Sequence, residues 1–211
     1  MKTRANRSLA AALLVLAVTA ALAGGPRLLT PSWEPKAPDY RRHGPAGAMA
    51  VIAAFSDFQC PSCAAAAPHL KSIQALYPDK VAVVFKHRAW DFHQHSRQAA
   101  IFSECAGKAG KFWEYHDKLF DTQSTWAVLP SSAASLPLLT GYAKELGLDP
   151  KAIEACAADP ATDALVAADL KEADEKWVNS TPTFLIGGKR FVGTNQLRTT
   201  GLNRVEDLLK K

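Results

Sequence analysis

One stretch decides what this chain can become: Phe55-Ser56-Asp57-Phe58-Gln59-Cys60-Pro61-Ser62-Cys63. Ahead of it runs Ala50-Val51-Ile52-Ala53-Ala54, short and apolar, which reads as a buried strand. Behind it, Ala64 to Tyr77 is rich in helix formers. Cys60 therefore stands where a strand hands over to a helix, at the helix N-terminus. Pro61 suits the first helical position, where its missing N–H costs no bond. Unpaired N–H groups and the helix dipole favour an anion there, so the Cys60 thiol should ionise more easily than a free one. Cys63 lies one helical step on, on the same face and within bonding reach. A nucleophilic thiolate beside a resolving thiol is what thiol–disulfide exchange needs. Half a zinc site has the same spacing, and so does a purely structural bridge. No second Cys-x-x-Cys is present, and the strand-then-helix setting favours redox chemistry.

The compartment follows from the N-terminus. Lys2, Arg4 and Arg7 precede an apolar or small run from Leu9 to Ala23, and Ala21-Leu22-Ala23 before Gly24 is a small-x-small cleavage pattern. Residues 1–23 read as a signal peptide, or as an uncleaved N-terminal anchor although the run is short for a membrane span. Export puts the cysteines where disulfides persist. The net charge of +5 falls to +2 without Lys2, Arg4 and Arg7. With no basic run interleaved with aromatics, nothing argues for nucleic acid.

Residues 24–47 carry Pro26, Pro31, Pro35, Pro38 and Pro45 and read as a Pro-rich linker or extended arm. Residues 48–211 are expected to form one domain. Ala48 to Phe55 is its first strand, Ala64 to Tyr77 a helix that Pro68 should kink, and Val81 to Phe85 a second buried strand. That order is a βαβ unit with a parallel strand pair. From about residue 95 to 177 the pattern is helical. Helices are read over Arg97–Ala106, Lys111–Phe120 and Leu136–Leu146. Asp149-Pro150 and Asp159-Pro160 start two more, each an N-cap followed by proline. Asp121 to Ser135, with Trp126 and Pro130, reads as a polar loop. A hairpin then turns at Gly187-Gly188, and Leu202 to Lys211 is a closing helix.

Thr181-Pro182-Thr183 opens the hairpin. This order of elements resembles the thioredoxin fold, and more closely the DsbA-like exported oxidoreductases, which carry a helical insertion between the two halves. The resemblance covers Ala48 to Lys211. It rests on the nine residues Phe55 to Cys63, on Lys111-Phe112-Trp113-Glu114-Tyr115-His116-Asp117, and on Thr181-Pro182-Thr183-Phe184. The implied fold class is α/β: a thioredoxin fold with a helical insertion between the βαβ half and the C-terminal hairpin and helix. The resemblance implies that Cys60 is the nucleophile and Cys63 the resolving thiol, with Pro61 and Ser62 tuning the pair. It also implies that Pro182 is cis and packs against the pair. Thr181 would offer its backbone to an extended substrate as an added strand, and Phe58 is assigned with it to the substrate surface. One departure stands out: six residues before the first cysteine, where many relatives place a buried acid, this chain has Ala54. The proton step at Cys63 then falls to water or to another group.

Cys105 and Cys156 fall in the insertion, and export with an even cysteine count favours a structural disulfide over two separate thiols. His87, His93 and His95 lack a carboxylate or thiol pair at ligand spacing and read as polar histidines. No metal and no cofactor are assigned. The expected protein is an extracytoplasmic, monomeric oxidoreductase that introduces disulfides into unfolded exported proteins with free thiols. A membrane quinone-linked reoxidant of the DsbB or VKOR type is the implied partner. An isomerase or reductase, and a non-enzymatic chaperone using the same groove, are the rival readings.

Overall fold

The computed structural model describes residues 33–210. The signal or anchor at 1–23, with Pro26 and Pro31, lies outside them. Strand β1 is Arg42–His43, β2 Ala50–Ser56, β3 Val81–His87, β4 Thr183–Ile186 and β5 Lys189–Val192, and the sheet order is β1-β3-β2-β4-β5. β2 and β3 run parallel, with Ala54 opposite Phe85 and Ser56 opposite His87; the other pairings are antiparallel. Helix α1 (Pro61–Leu76) crosses between β2 and β3 and continues through Pro68.

The central strands are buried on both faces, so they read as apolar runs rather than alternating ones. On one face Ile52 and Ala54 cluster with Leu70 and Ile73 of α1 and with Val205. On the other, Ala53 and Phe55 cluster with Ala173 and Val178. β3 extends past Phe85 to Lys86 and His87, both buried.

The insertion holds α2 (Ser96–Lys108), α3 (Phe112–Asp121), α4 (Gln123–Trp126), α5 (Ser132–Glu145), α6 (Pro150–Ala157) and α7 (Pro160–Glu175). Asp149 and Asp159 cap α6 and α7 by accepting from Lys151 N at 3.1 Å and Ala161 N at 2.9 Å. Such caps contribute about 1 kcal/mol each. Phe112, Tyr115, Leu119 and Phe120 point into the insertion's core together with Trp126. Trp126 donates to Leu119 O at 2.8 Å, so the stretch expected as a polar loop holds a short helix anchored by a buried indole, with turns and bends over residues 127–131. After β5 the chain is helical without a break: α8 (Gly193–Gln196), a π turn over Leu197–Gly201, then α9 (Leu202–Leu209). Only the last part was expected, because Thr194, Asn195, Thr199 and Thr200 hide the helical pattern.

The expectation of a linker over 24–47 is corrected for its described part. Trp33 stacks on Phe55 at 6.5 Å, β1 pairs with β3, and Arg41 is buried. A buried guanidinium must be paired. Arg41 Nε meets Glu104 of α2 at 2.6 Å, and its NH1 meets Asp169 of α7. Lys86 also reaches Asp169, and Glu172 at 2.8 Å. The arm thus ties sheet and insertion together.

Candidate active site

Cys60 is the N-cap of α1, in extended conformation, and Pro61 begins the helix. Its carbonyl accepts from Cys63 N at 3.0 Å and Ala64 N at 3.2 Å. Cys60 and Cys63 are both free thiols. Their surroundings differ sharply. Cys60 keeps 9% of its surface, while Cys63 is buried against the end of β2. The Cys60 thiol is pulled down to about 5, first by a hydrogen bond from Cys63. Burial opposes the shift; the Thr181 hydroxyl and the N–H groups of Cys63 and Ser62 support it. Cys63 moves the other way: burial, and the charge on Cys60, push it well above the ordinary thiol value. Its sulfur accepts from Asp57 N at 3.4 Å. Pro61 and Ser62 are exposed at the helix start.

The Thr181–Pro182 peptide is cis. Cys60 Sγ lies 3.6 Å from Thr181 O, which brings the start of β4 to the reactive thiol. Thr181 is partly exposed, and Pro182 is buried.

Phe58 requires a correction. It is 1% exposed and stacks on Phe85 at 5.0 Å, with Phe120 at 5.1 Å. A ring of that size gains about 1.5–3 kcal/mol by leaving water, so it serves as the core plug under the active-site loop and not as a substrate contact. The exposed apolar side chains near the site are others. Phe92, 74% exposed, stacks on Trp90, whose indole bonds to Thr181. Val128, 75% exposed, follows Ala127, whose carbonyl accepts from Gln59 Nε2 at 2.9 Å.

Three residues to which the sequence assigned no role hold the loop. Gln123 Nε2 donates to Phe58 O at 2.7 Å and Cys60 O at 3.0 Å. Gln59 Oε1 accepts from His95 N at 2.7 Å. Asp57, fully buried, accepts at Oδ1 from Gln59 N and Ser96 Oγ, and at Oδ2 from Trp90 N and His93 Nδ1, all within 2.9 Å. A carboxylate only accepts, so His93 carries its proton on Nδ1. With four donors spoken for, Asp57 stands as a bracket for the loop after β3. Ala54 itself is sealed in the sheet core. A buried Asp three residues before Cys60, followed by a Trp-x-Phe-His run, was the available signal.

Cys105 and Cys156 form a disulfide joining α2 to α6. The three histidines are dispersed: His87 pairs with Glu104 at 2.9 Å, His93 with Asp57, and His95 Nε2 with Leu129 O at 2.8 Å. Among the described residues no group of three or more His, Cys, Asp or Glu could hold a metal ion.

The sequence profile of the family described as Thioredoxin matches residues 36–204. Among curated proteins, the Na(+)/H(+) antiporter NhaA of Herminiimonas arsenicoxydans is 33% identical over 174 residues, 82% of this chain and 26% of that protein. NhaA 1 of Salinispora arenicola is 32% identical over 152 residues, 72% of this chain and 22% of that one. The chain therefore spans about a quarter of the length of these relatives. Of solved structures, DsbA2 of Pseudomonas aeruginosa superposes with a TM-score of 0.67 at 26% identity, covering 83% of this chain and 97% of the other. BdbD of Bacillus subtilis superposes with a TM-score of 0.69 at 23% identity, covering 81% and 93%. Profile and fold agree with the Cys60–Cys63 geometry, and the chain belongs to the thioredoxin family, in the DsbA-like form that carries a helical insertion.

Proposed function

We propose that this chain is an extracytoplasmic protein disulfide oxidoreductase that donates its Cys60–Cys63 disulfide to exported proteins with free thiols. The observation that carries this reading is the contrast between the two sulfurs. One sits at the helix start with its thiol pulled down to about 5, and the other is buried and pushed up. A sulfur with a low thiol value is the better leaving group.

In the cycle, a substrate thiolate attacks Cys60 of the oxidised pair. The Cys60–Cys63 bond breaks, a mixed disulfide forms, and Cys63 leaves with the electron pair and takes up a proton. The substrate's second thiolate then attacks its own mixed-disulfide sulfur and expels Cys60 as thiolate. Two electrons pass from the substrate dithiol to the Cys60–Cys63 pair. The protein's disulfide is restored by an oxidant of the membrane quinone-linked class. Asp57 N–H and the Ser56 hydroxyl attend Cys63, and its proton exchanges with water. Thr181 offers its backbone to an extended substrate, and Phe92 and Val128 supply exposed apolar contacts near it. Among the described residues no helix is long and apolar enough to cross a membrane.

The test is stoichiometric transfer. Oxidised protein mixed with a reduced two-cysteine peptide should yield oxidised peptide and thiols at Cys60 and Cys63. Cys60→Ser should abolish transfer. A Cys60→Ser variant with full activity would favour a non-enzymatic binding protein.

A further inference from the structure

The Thr181 hydroxyl is engaged by a residue that the exchange chemistry does not otherwise need. Trp90 Nε1 lies 3.0 Å from Thr181 Oγ1. An indole N–H can only donate, so the hydroxyl must be the acceptor in this bond. A hydroxyl has one hydrogen and two lone pairs. With one lone pair fixed by Trp90, that hydrogen has to point elsewhere. Cys60 is at hand: its sulfur lies 3.6 Å from the carbonyl oxygen of the same residue, Thr181.

The indole is itself held firmly. Trp90 N donates to the buried Asp57 at 2.9 Å. The Arg88 guanidinium lies 4.1 Å from the ring centroid, and Phe92 stacks on the ring at 5.5 Å. Arg88 is anchored in turn, through Nε to Val178 O at 3.2 Å and through NH2 to Asp174 at 2.8 Å. A cation over an indole is attracted by the electron-rich face of the ring. This is a large scaffold for one N–H group.

We propose that Trp90 is a positioning residue for exchange at Cys60: its indole N–H holds the Thr181 hydroxyl in the orientation that donates to the Cys60 sulfur. The inference rests on the reading of Cys60 as the reactive thiol. The reaction itself is unchanged; what Trp90 supplies is a fixed donor for the thiolate as it leaves. The Thr181 hydroxyl is among the groups that pull the Cys60 thiol down, which agrees with this orientation. The charged or titratable groups around the pair are Cys63, Asp57, His93 and Arg88, and none needs to change for the effect.

Trp90→Phe keeps a ring between Arg88 and Phe92 and removes only the N–H. The apparent thiol pKa of Cys60, from thiolate absorbance, and the equilibrium constant with glutathione are measured in the wild type, Trp90→Phe, Thr181→Val, Thr181→Ser and Trp90→Phe/Thr181→Val. Trp90→Phe and Thr181→Val should each raise the pKa by about one unit, a tenfold change. Thr181→Ser should stay near the wild type. In the Thr181→Val background, Trp90→Phe should add nothing. An unshifted pKa in Trp90→Phe overturns the proposal, and so does an equal shift with and without the Thr181 hydroxyl. Where Trp90→Phe folds poorly, the unaltered protein decides. The Trp90 indole N–H resonance should follow the Cys60 titration in the wild type and lose that response in Thr181→Val. An indole signal indifferent to the titration overturns the proposal equally. If wild-type Cys60 titrates like a free thiol, it is the reading of Cys60 as the reactive group that fails.

Discussion

An alkylating agent offered to the reduced protein meets two thiols that differ by their surroundings alone. Cys60, at about 5, is thiolate through the whole neutral range, while Cys63 is held protonated by burial. Labelling at pH 6 should therefore fall on Cys60, and its rate should drop as pH is lowered through about 5. Peptide mapping of the labelled protein checks this, and preferential labelling of Cys63 would reverse the roles. Ser62 bears on the same thiolate. It supplies a backbone N–H and an exposed side chain, and Ser62→His should add a second donor that stabilises the reduced form. The reduction potential should rise, as read against glutathione buffers, and an unchanged or lower value would count against this. Most of this site was legible in the sequence, because helix-start chemistry is local. What was not legible depended on where side chains point. Phe58 is two residues from Cys60 but turns into the core. Asp57 is close in sequence, but its carboxylate is taken up by the loop after β3. Trp90 drew no reading from the sequence, since a long-range bond to Thr181 leaves no local signature.

The elements of the insertion are pinned by the Cys105–Cys156 disulfide between α2 and α6. It closes a separation of 51 residues, and in the chain-entropy view such a link stabilises by about 4 kcal/mol. Cys105→Ala should lower the unfolding free energy by about 2–4 kcal/mol, as measured by urea unfolding, while exchange at Cys60 remains. Loss of exchange with an intact fold would give the link a role at the site. The helices themselves were readable where a cap and a period coincide. Asp149-Pro150 and Asp159-Pro160 start α6 and α7 in the expected places. α4 and the stretch from Gly193 to Gly201 were missed because polar residues dominate them and the packing of Trp126 and Leu197, both fully buried, decides their form. Gln123, which holds the loop at Phe58 and Cys60, was hidden for the same reason.

At the scale of the whole molecule, sheet and insertion meet across buried charges. Burial would raise the Glu104 carboxyl, but hydrogen bonds with His87 and Arg41 hold it at about 2. Its folded value lies below the ordinary 4.5, so the unfolded chain binds the extra proton first as pH falls. The stability it contributes is complete above about pH 4.5 and is lost as pH drops toward 2. Urea unfolding from pH 6 to 3 should show wild-type stability falling over that window, and Glu104→Gln should flatten the fall. An identical fall in the variant would assign the acid sensitivity elsewhere. This network was invisible in the sequence, since it joins Arg41 from the supposed linker to residues more than sixty positions away. The fold class was visible, because the strand, Cys-x-x-Cys, helix and hairpin each announce themselves locally. The central claim, that this assembly gives disulfides away, rests on how strongly the reduced Cys60–Cys63 pair is favoured. Equilibrating the full chain with glutathione buffers measures that directly. With the neutral Ser62 between the cysteines, the pair should be less oxidising than the extreme members of the family and more so than reducing thioredoxins, which places the potential between about −120 and −270 mV. A value below about −270 mV would make this protein a reductant and contradict the account.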